Sequence, residues 1–178
     1  MVEINSDELP RVGITKEMIE FARGLAAVLQ VKRTRVSPSD TLGGAVGELA
    51  FAEWWYGDWR KNELGENKGL PDYEETIEVK TSIFPLRQNL HLPIREDYAA
   101  ARCPSFYVFI CIDVPSRREK QITPGLEAVL VGWTTGERAH QGRLANMGWV
   151  DSFRCFLTPV SELRPMSDLR AMVNDKIG

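Results

Sequence analysis

Apolar positions recur at helical spacing near the start of the chain, where Met18, Ala22, Leu25 and Leu29 form one stripe. Thr15 stands where a side-chain oxygen can cap a first turn, and Ile14 before it is placed to staple onto Ile19. This pattern predicts a helix from Thr15 that ends before Lys32-Arg33-Thr34-Arg35. The polar run Ser37-Pro38-Ser39-Asp40 opens a second helix, expected over 41–55. Beyond Gly57 the pattern changes, and 59–70 is polar and punctuated by Gly and Asn, which predicts a loop with one short strand. Ile77-Glu78-Val79-Lys80 alternates with period two, as do Leu90, Leu92 and Ile94, and both predict strands. A short helix is expected over 97–102. The run 106–114 is apolar, aromatic and β-branched but for Asp113, which predicts a central buried strand. A charged excursion at 116–120 precedes a returning strand at 128–133; a last strand is expected at 153–157, then short helices at 161–163 and 167–173. The succession implies an α/β domain with a mixed central sheet flanked by helices.

The chain has 178 residues, within the usual range for one domain and enough to bury a core without staples. At 43% hydrophobic and 26% charged residues, the composition excludes disorder, collagen-like sequence and coiled coil. Lys plus Arg number 22 against 25 Asp plus Glu, a net charge of −3, which excludes binding nucleic acid by bulk charge but leaves room for a local basic groove. The longest apolar run, Phe106 to Ile112, falls far short of the ~18–20 residues of a membrane span. The acidic first residues lack the apolar stretch of a signal peptide. Cys103, Cys111 and Cys155 form no CxxC and have no His at zinc spacing, so reduced, buried thiols and a cytoplasmic location are expected.

Chemistry enters at the second helix. Gly43, Gly44 and Gly47 lie within it, and each interior Gly costs about 1 kcal/mol relative to Ala. Around Glu48 the helical neighbours Gly44, Ala45 and Ala52 are all small, so the helix can approach another backbone while one carboxylate reaches past it. Pro71-Asp72 follows, and then Glu78-Val79-Lys80-Thr81. In a strand Val79 points to one face, while Glu78 and Lys80 stand side by side on the other.

These pieces, Gly44-Ala-Val-Gly-Glu48-Leu-Ala-Phe on a helix, Pro71-Asp72, and Glu78-Val79-Lys80-Thr81-Ser82, resemble the PD-(D/E)XK nuclease superfamily with its restriction-endonuclease-like fold. The likeness covers 40–115, with 106–113 matching the next core strand. It implies a metal-dependent endonuclease that hydrolyses phosphodiester bonds of DNA, with RNA as an open alternative substrate. A catalytically silent module of the same fold, binding nucleic acid or a protein, is the rival reading. The resemblance implies that Asp72, Glu78 and Val79, with Glu48 directly or through water, hold Mg²⁺, for which Mn²⁺ can substitute. Lys80 is then expected to orient the attacking water and stabilise charge. Two or three carboxylates suffice for Mg²⁺, which keeps several of its waters. Duplex cleavage by a one-site protomer favours a homodimer or two successive nicks.

The spacing sets a geometric condition. Five residues separate Asp72 from Glu78, and along a straight strand at ~3.3 Å per residue their α-carbons would be ~20 Å apart, too far to share an ion. The chain must therefore turn within Tyr73-Glu74-Glu75-Thr76; otherwise Asp58, with nineteen residues between it and Glu78, takes the place of Asp72. Glu74 and Glu75 are expected as solvated turn charges. Guiding cations for the substrate are sought in Lys32, Arg33, Arg35, Lys68, Arg87, Arg117, Arg118 and Lys120, and in a loop at 136–143 carrying Arg138, His140, Gln141 and Arg143. His91 and His140 have no ligand spacing and no expected catalytic role.

Overall fold

The computed structural model describes residues 8–30, 38–64, 70–87, 89–147 and 153–177. It is a mixed α/β fold with two sheets. Helix α1 (Lys16–Gln30) begins where Thr15 Oγ1 accepts the Met18 N–H at 3.2 Å, and it buries Met18, Ile19 and Ala22. Helix α2 (Pro38–Tyr56) starts three residues earlier than the pattern implied. A proline at the first helical position has no N–H to lose and a φ already set for the helix.

A four-stranded sheet contains β1 (Arg11–Gly13), β2 (Ile77–Ile83), β4 (Phe106–Asp113) and β5 (Glu127–Thr135). Its order is β1-β5-β4-β2, with β2 parallel to β4 and the other pairs antiparallel. The expected mixed sheet is present, and a second sheet accompanies it. Strand β3 (His91–Arg95), strand β6 (Arg143–Met147) and strand β7 (Phe153–Pro159) form a separate antiparallel sheet, ordered β3-β7-β6. Strand β6 escaped notice because it is largely exposed on both faces and carries no apolar alternation.

The two sheets explain the long apolar run. One face of β4, with Val108, Ile110 and Ile112, packs with α1 and α2. The other, with Tyr107, Phe109 and Cys111, packs with Leu92 and Ile94 of β3. A strand covered on both sides reads as continuous hydrophobicity. Burial pushes the Cys111 thiol up to about 12, and Cys155 is also buried, whereas Cys103 is exposed, against expectation.

Helix α3 (Glu96–Ala101) directly follows β3, helix α4 (Gly136–Ala139) follows β5, and helix α5 (Leu169–Ile177) ends the described chain. Strand β5 is the hub of the larger sheet. It pairs with β1 and β4, and its Trp133 exchanges backbone hydrogen bonds of 3.0 and 2.8 Å with Arg164 of the C-terminal segment. Among the described residues no helix is long and apolar enough to cross a membrane.

Candidate active site at the edge of β2

Alternation along β2 separates two jobs. Ile77, Val79 and Ile83 enter the core beneath the helices. Thr81 lies on the same side, directly under Gly47 of α2, and a Cβ on Gly47 would run into the Thr81 hydroxyl. Close approach of helix and strand is therefore what this glycine serves. Gly44, by contrast, faces open space, so the clearance first ascribed to it belongs to Gly47.

Glu78 and Lys80 project to the other face, beside the second sheet. Lys80 Nζ donates to Glu78 Oε1 at 2.6 Å, and Arg102 Nη1 lies 3.6 Å from Glu78 Oε2. Glu78 is 9% exposed, and its Oε2 is buried without a hydrogen bond. A cleft of about 160 Å³ opens here, walled by these three residues and by Arg95, Tyr98 and Tyr107.

Asp72 reaches this site through a tight turn. Tyr73 and Ile77 exchange backbone hydrogen bonds of 3.0 and 2.9 Å, and Glu74 and Glu75 both sit at positive φ, 50° and 55°. Two consecutive left-handed residues suit a turn that reverses the chain, but the position usually falls to Asn or Gly. Here the turn is fastened to α2. The Glu74 carboxylate accepts hydrogen bonds from Tyr56 Oη at 2.8 Å and Trp55 Nε1 at 3.3 Å. The Tyr73 ring is fully buried against Phe51, and its hydroxyl donates to the Glu48 carbonyl at 2.7 Å. Glu74 is thus an anchor and not the solvated charge expected, whereas Glu75 is exposed.

The turn folds Asp72 back onto β2, where its Oδ2 accepts the Val79 N–H at 2.7 Å. β2 is the edge strand on this side of its sheet, and β4 is its sheet neighbour. In a strand the N–H and C=O of one residue point the same way, so the Val79 carbonyl also faces the open edge. Burial, and next the charge of Glu78, push the Asp72 carboxyl up to about 7, against the Val79 N–H, Lys80 and Arg102. Asp58 lies elsewhere: it caps the 3-10 turn Trp59–Lys61 by accepting the Arg60 N–H at 3.0 Å.

Glu48 stands on α2, which packs on the face of β2 opposite Glu78, and its charge acts, after burial and together with that of Asp72, to raise the Tyr73 phenol. Among the described residues no three His, Cys, Asp or Glu side chains are grouped to hold a metal ion. The edge of β2 therefore brings together Asp72, Glu78 and Lys80, with the Val79 backbone between them.

The expected guiding cations scatter. Lys32, Arg33, Arg35 and Lys68 lie outside the described residues. Arg87 and Arg118 are exposed, and Arg117 and Lys120 lie over the Phe84 ring at 5.8 and 5.1 Å; none of these four lines the cleft. The expected loop at 136–143 begins as helix α4, turns over 140–142 and ends on the first residue of β6; Gly136 packs against the Pro104 carbonyl, where any Cβ would collide. Arg138 there pairs with Glu162 at 3.2 Å. His91, Arg138, Gln141 and Arg143 line a separate cavity of about 320 Å³. His140 shares a 3.1 Å hydrogen bond with Tyr107 Oη, and burial lowers its pKa.

The cation beside Glu78 that sequence reasoning missed is Arg102. It follows α3 and also donates to the Leu70 carbonyl at 3.3 Å. No motif marks it, since its place depends on how α3 sits over β2. Comparisons with protein-family models, with curated proteins and with solved structures found no match.

Proposed function

We propose that the chain is a metal-dependent phosphodiesterase acting on DNA, a PD-(D/E)XK-type nuclease of restriction-endonuclease-like architecture. The observation that carries this reading is the hydrogen bond from Val79 to Asp72, which sets the Pro-Asp carboxylate beside the Glu-Val-Lys strand despite a separation of only five residues. The parallel β2–β4 pair, with a helix packed through glycine on one face, supports the architecture.

The donor set fits a hard divalent cation such as Mg²⁺, or Mn²⁺ in its place. Glu78 Oε2 is a buried carboxylate oxygen without a hydrogen bond, and Asp72, raised by burial first and by the charge of Glu78 second, stands beside it as a further oxygen donor. Asp72, Glu78 and the Val79 carbonyl would hold the ion, and Glu48, whose carbonyl accepts the hydroxyl of Tyr73 next to Asp72, would act through water. When bound, the ion supplies an acidified water and a Lewis acid for the phosphate.

The residues of the chain do the rest. The turn at Glu74 and Glu75 fixes Asp72, and the Val79 N–H keeps one of its oxygens oriented. Lys80 faces the cleft from Glu78, where it orients the attacking water and offsets charge on the phosphate. Arg102 holds the substrate phosphate on the far side of Glu78. Incubation with supercoiled, linear and single-stranded DNA and with RNA, in Mg²⁺ and in chelator, tests the reading. Metal-dependent cleavage that Asp72→Asn abolishes is expected, and no cleavage of any substrate overturns it.

One observation favours a second reading. Lys80 is tightly paired with Glu78, and the described residues hold no three-carboxylate group. A catalytically silent domain that binds nucleic acid or a protein would have these features, and would show neither metal-dependent cleavage nor stabilisation by Mn²⁺.

A further inference from the structure

Beside the carboxylates stands a stack of planar groups that the proposed chemistry does not use. The Arg95 guanidinium lies 4.9 Å from the Tyr98 ring centroid and 4.7 Å from that of Phe153. Both aromatic rings are unusually open for their size, Tyr98 at 45% and Phe153 at 37% exposure. Asp97 takes the charge of Arg95 through two hydrogen bonds of 3.0 and 2.6 Å, and its Oδ1 also accepts the Tyr98 N–H at 3.0 Å. The stack is therefore braced, and its cation is already paired. What it offers a ligand is an aromatic face. The other guanidinium of the cleft is Arg102, 3.6 Å from Glu78 Oε2 and outside this stack.

We infer that this cleft selects single-stranded DNA, with an unpaired base stacked on Tyr98 while the adjoining phosphate meets Arg102 and the Asp72–Glu78 edge. The inference rests on the proposed phosphodiesterase reading and adds the substrate class. In a duplex the faces of the bases are covered by their neighbours, and a wall such as Tyr98 gains a partner only when a base leaves the stack. Stacking is also tolerant of sequence, because every base presents a π-face. The cleft is narrow, about 160 Å³, and Tyr98 and Arg95 line it together with Glu78 and Lys80. Base-binding and phosphate-binding groups thus share one opening. Tyr98 is a positioning residue here, since it holds the nucleotide without touching the reacting phosphorus.

The test uses the full chain with a fluorescent oligothymidylate and a blunt hairpin duplex. Cleavage is followed in Mg²⁺ and binding by anisotropy in Ca²⁺. Wild type should prefer the single strand. Tyr98→Ala should raise KM and weaken binding roughly ten- to a hundredfold with kcat nearly unchanged, while Tyr98→Phe, which keeps the ring, should behave as wild type. Phe153→Ala, at the other end of the stack, should give a smaller loss in the same direction. If the duplex is cleaved as well as the single strand and Tyr98→Ala changes nothing, the inference is overturned and the nuclease reading stands. If the single strand binds through Tyr98 but is never cut, the inference stands and the catalytic reading falls. If no substrate is bound or cut, both fall.

Discussion

The Asp72 carboxylate accepts a 2.7 Å hydrogen bond from the Val79 N–H, seven residues further along the chain. One side chain thereby occupies the hydrogen-bonding position that a neighbouring strand would otherwise fill on β2. Asp72 is consequently held against Glu78 by backbone geometry and not by charge, which repels the two.

Burial of Asp72, and next that repulsion, predict a pH dependence. A carboxyl whose pKa rises from 3.8 to about 7 on folding favours the folded state below its unfolded pKa and loses that contribution as pH rises through 7. Asp72→Asn should therefore match the wild type near pH 4 and, without metal, exceed it at pH 8 by on the order of 2–4 kcal/mol. Mg²⁺ must displace the same proton, so its stabilisation of the wild type should grow between pH 5 and 8 and vanish in the variant. Thermal melts across pH, with Mg²⁺ or chelator, measure both.

Asp72 and Asp58 can be separated by activity. Asp72→Asn should abolish metal-dependent cleavage with the fold intact. Asp58→Asn keeps a capping oxygen for the Arg60 N–H and should cut DNA as the wild type does.

Glu78 and Lys80 should part company in a metal titration. Removing Glu78 should weaken both metal affinity and cleavage. Lys80→Ala should slow single-turnover cleavage by about 10²–10³-fold, the scale of losing one transition-state stabiliser. Its metal affinity should hold or tighten, because a cation 2.6 Å from a Glu78 oxygen has gone.

The glycines of α2 make opposite predictions. Gly44→Ala meets nothing within 4 Å and should stabilise the protein by about 1 kcal/mol through helix propensity. Gly47→Ala pushes a methyl into Thr81 and should cost about 1–3 kcal/mol, with only partial recovery in the Thr81→Ala background, since the Thr81 Cβ is itself too close. Chemical denaturation of the single and double variants gives both values.

The turn should respond as asymmetrically. Glu75 is exposed at φ 55°, and Glu75→Gly should add about 0.5–1 kcal/mol by relieving left-handed strain. Glu74→Ala strands the Tyr56 hydroxyl and the Trp55 indole, and should cost about 1–3 kcal/mol. Because this turn positions Asp72, Glu74→Ala should also weaken Mn²⁺ binding in a titration.

Local patterns carried most of the secondary structure into view. Helix α1, with its Thr15 cap, strands β2, β4 and β5, and the reversal between Asp72 and Glu78 all follow from spacing and elementary lengths. What stayed hidden depends on partners far away in sequence. Strand β1 has three residues and exists because β5 offers an edge. The anchoring of Glu74 comes from two aromatic residues at the end of α2, eighteen and nineteen positions earlier. Arg102 and Tyr98 reach the cleft because α3 follows β3 over the face of β2, and no periodicity encodes that placement. Glu48 is the converse case: its small-residue surroundings are plain in the sequence, yet the helix carries it to the face opposite Glu78.

The central position of β5 has a kinetic consequence. Arg11 and Glu127 form an ion pair across 116 positions, and β1 has no strand to pair with until β5 has been synthesised. The closure entropy of so long a loop must be met before any of its contacts form. During synthesis, β1 therefore emerges without its sheet partner and stays unpaired until β5 follows. Refolding should take milliseconds or longer, as expected for non-local sheet pairing.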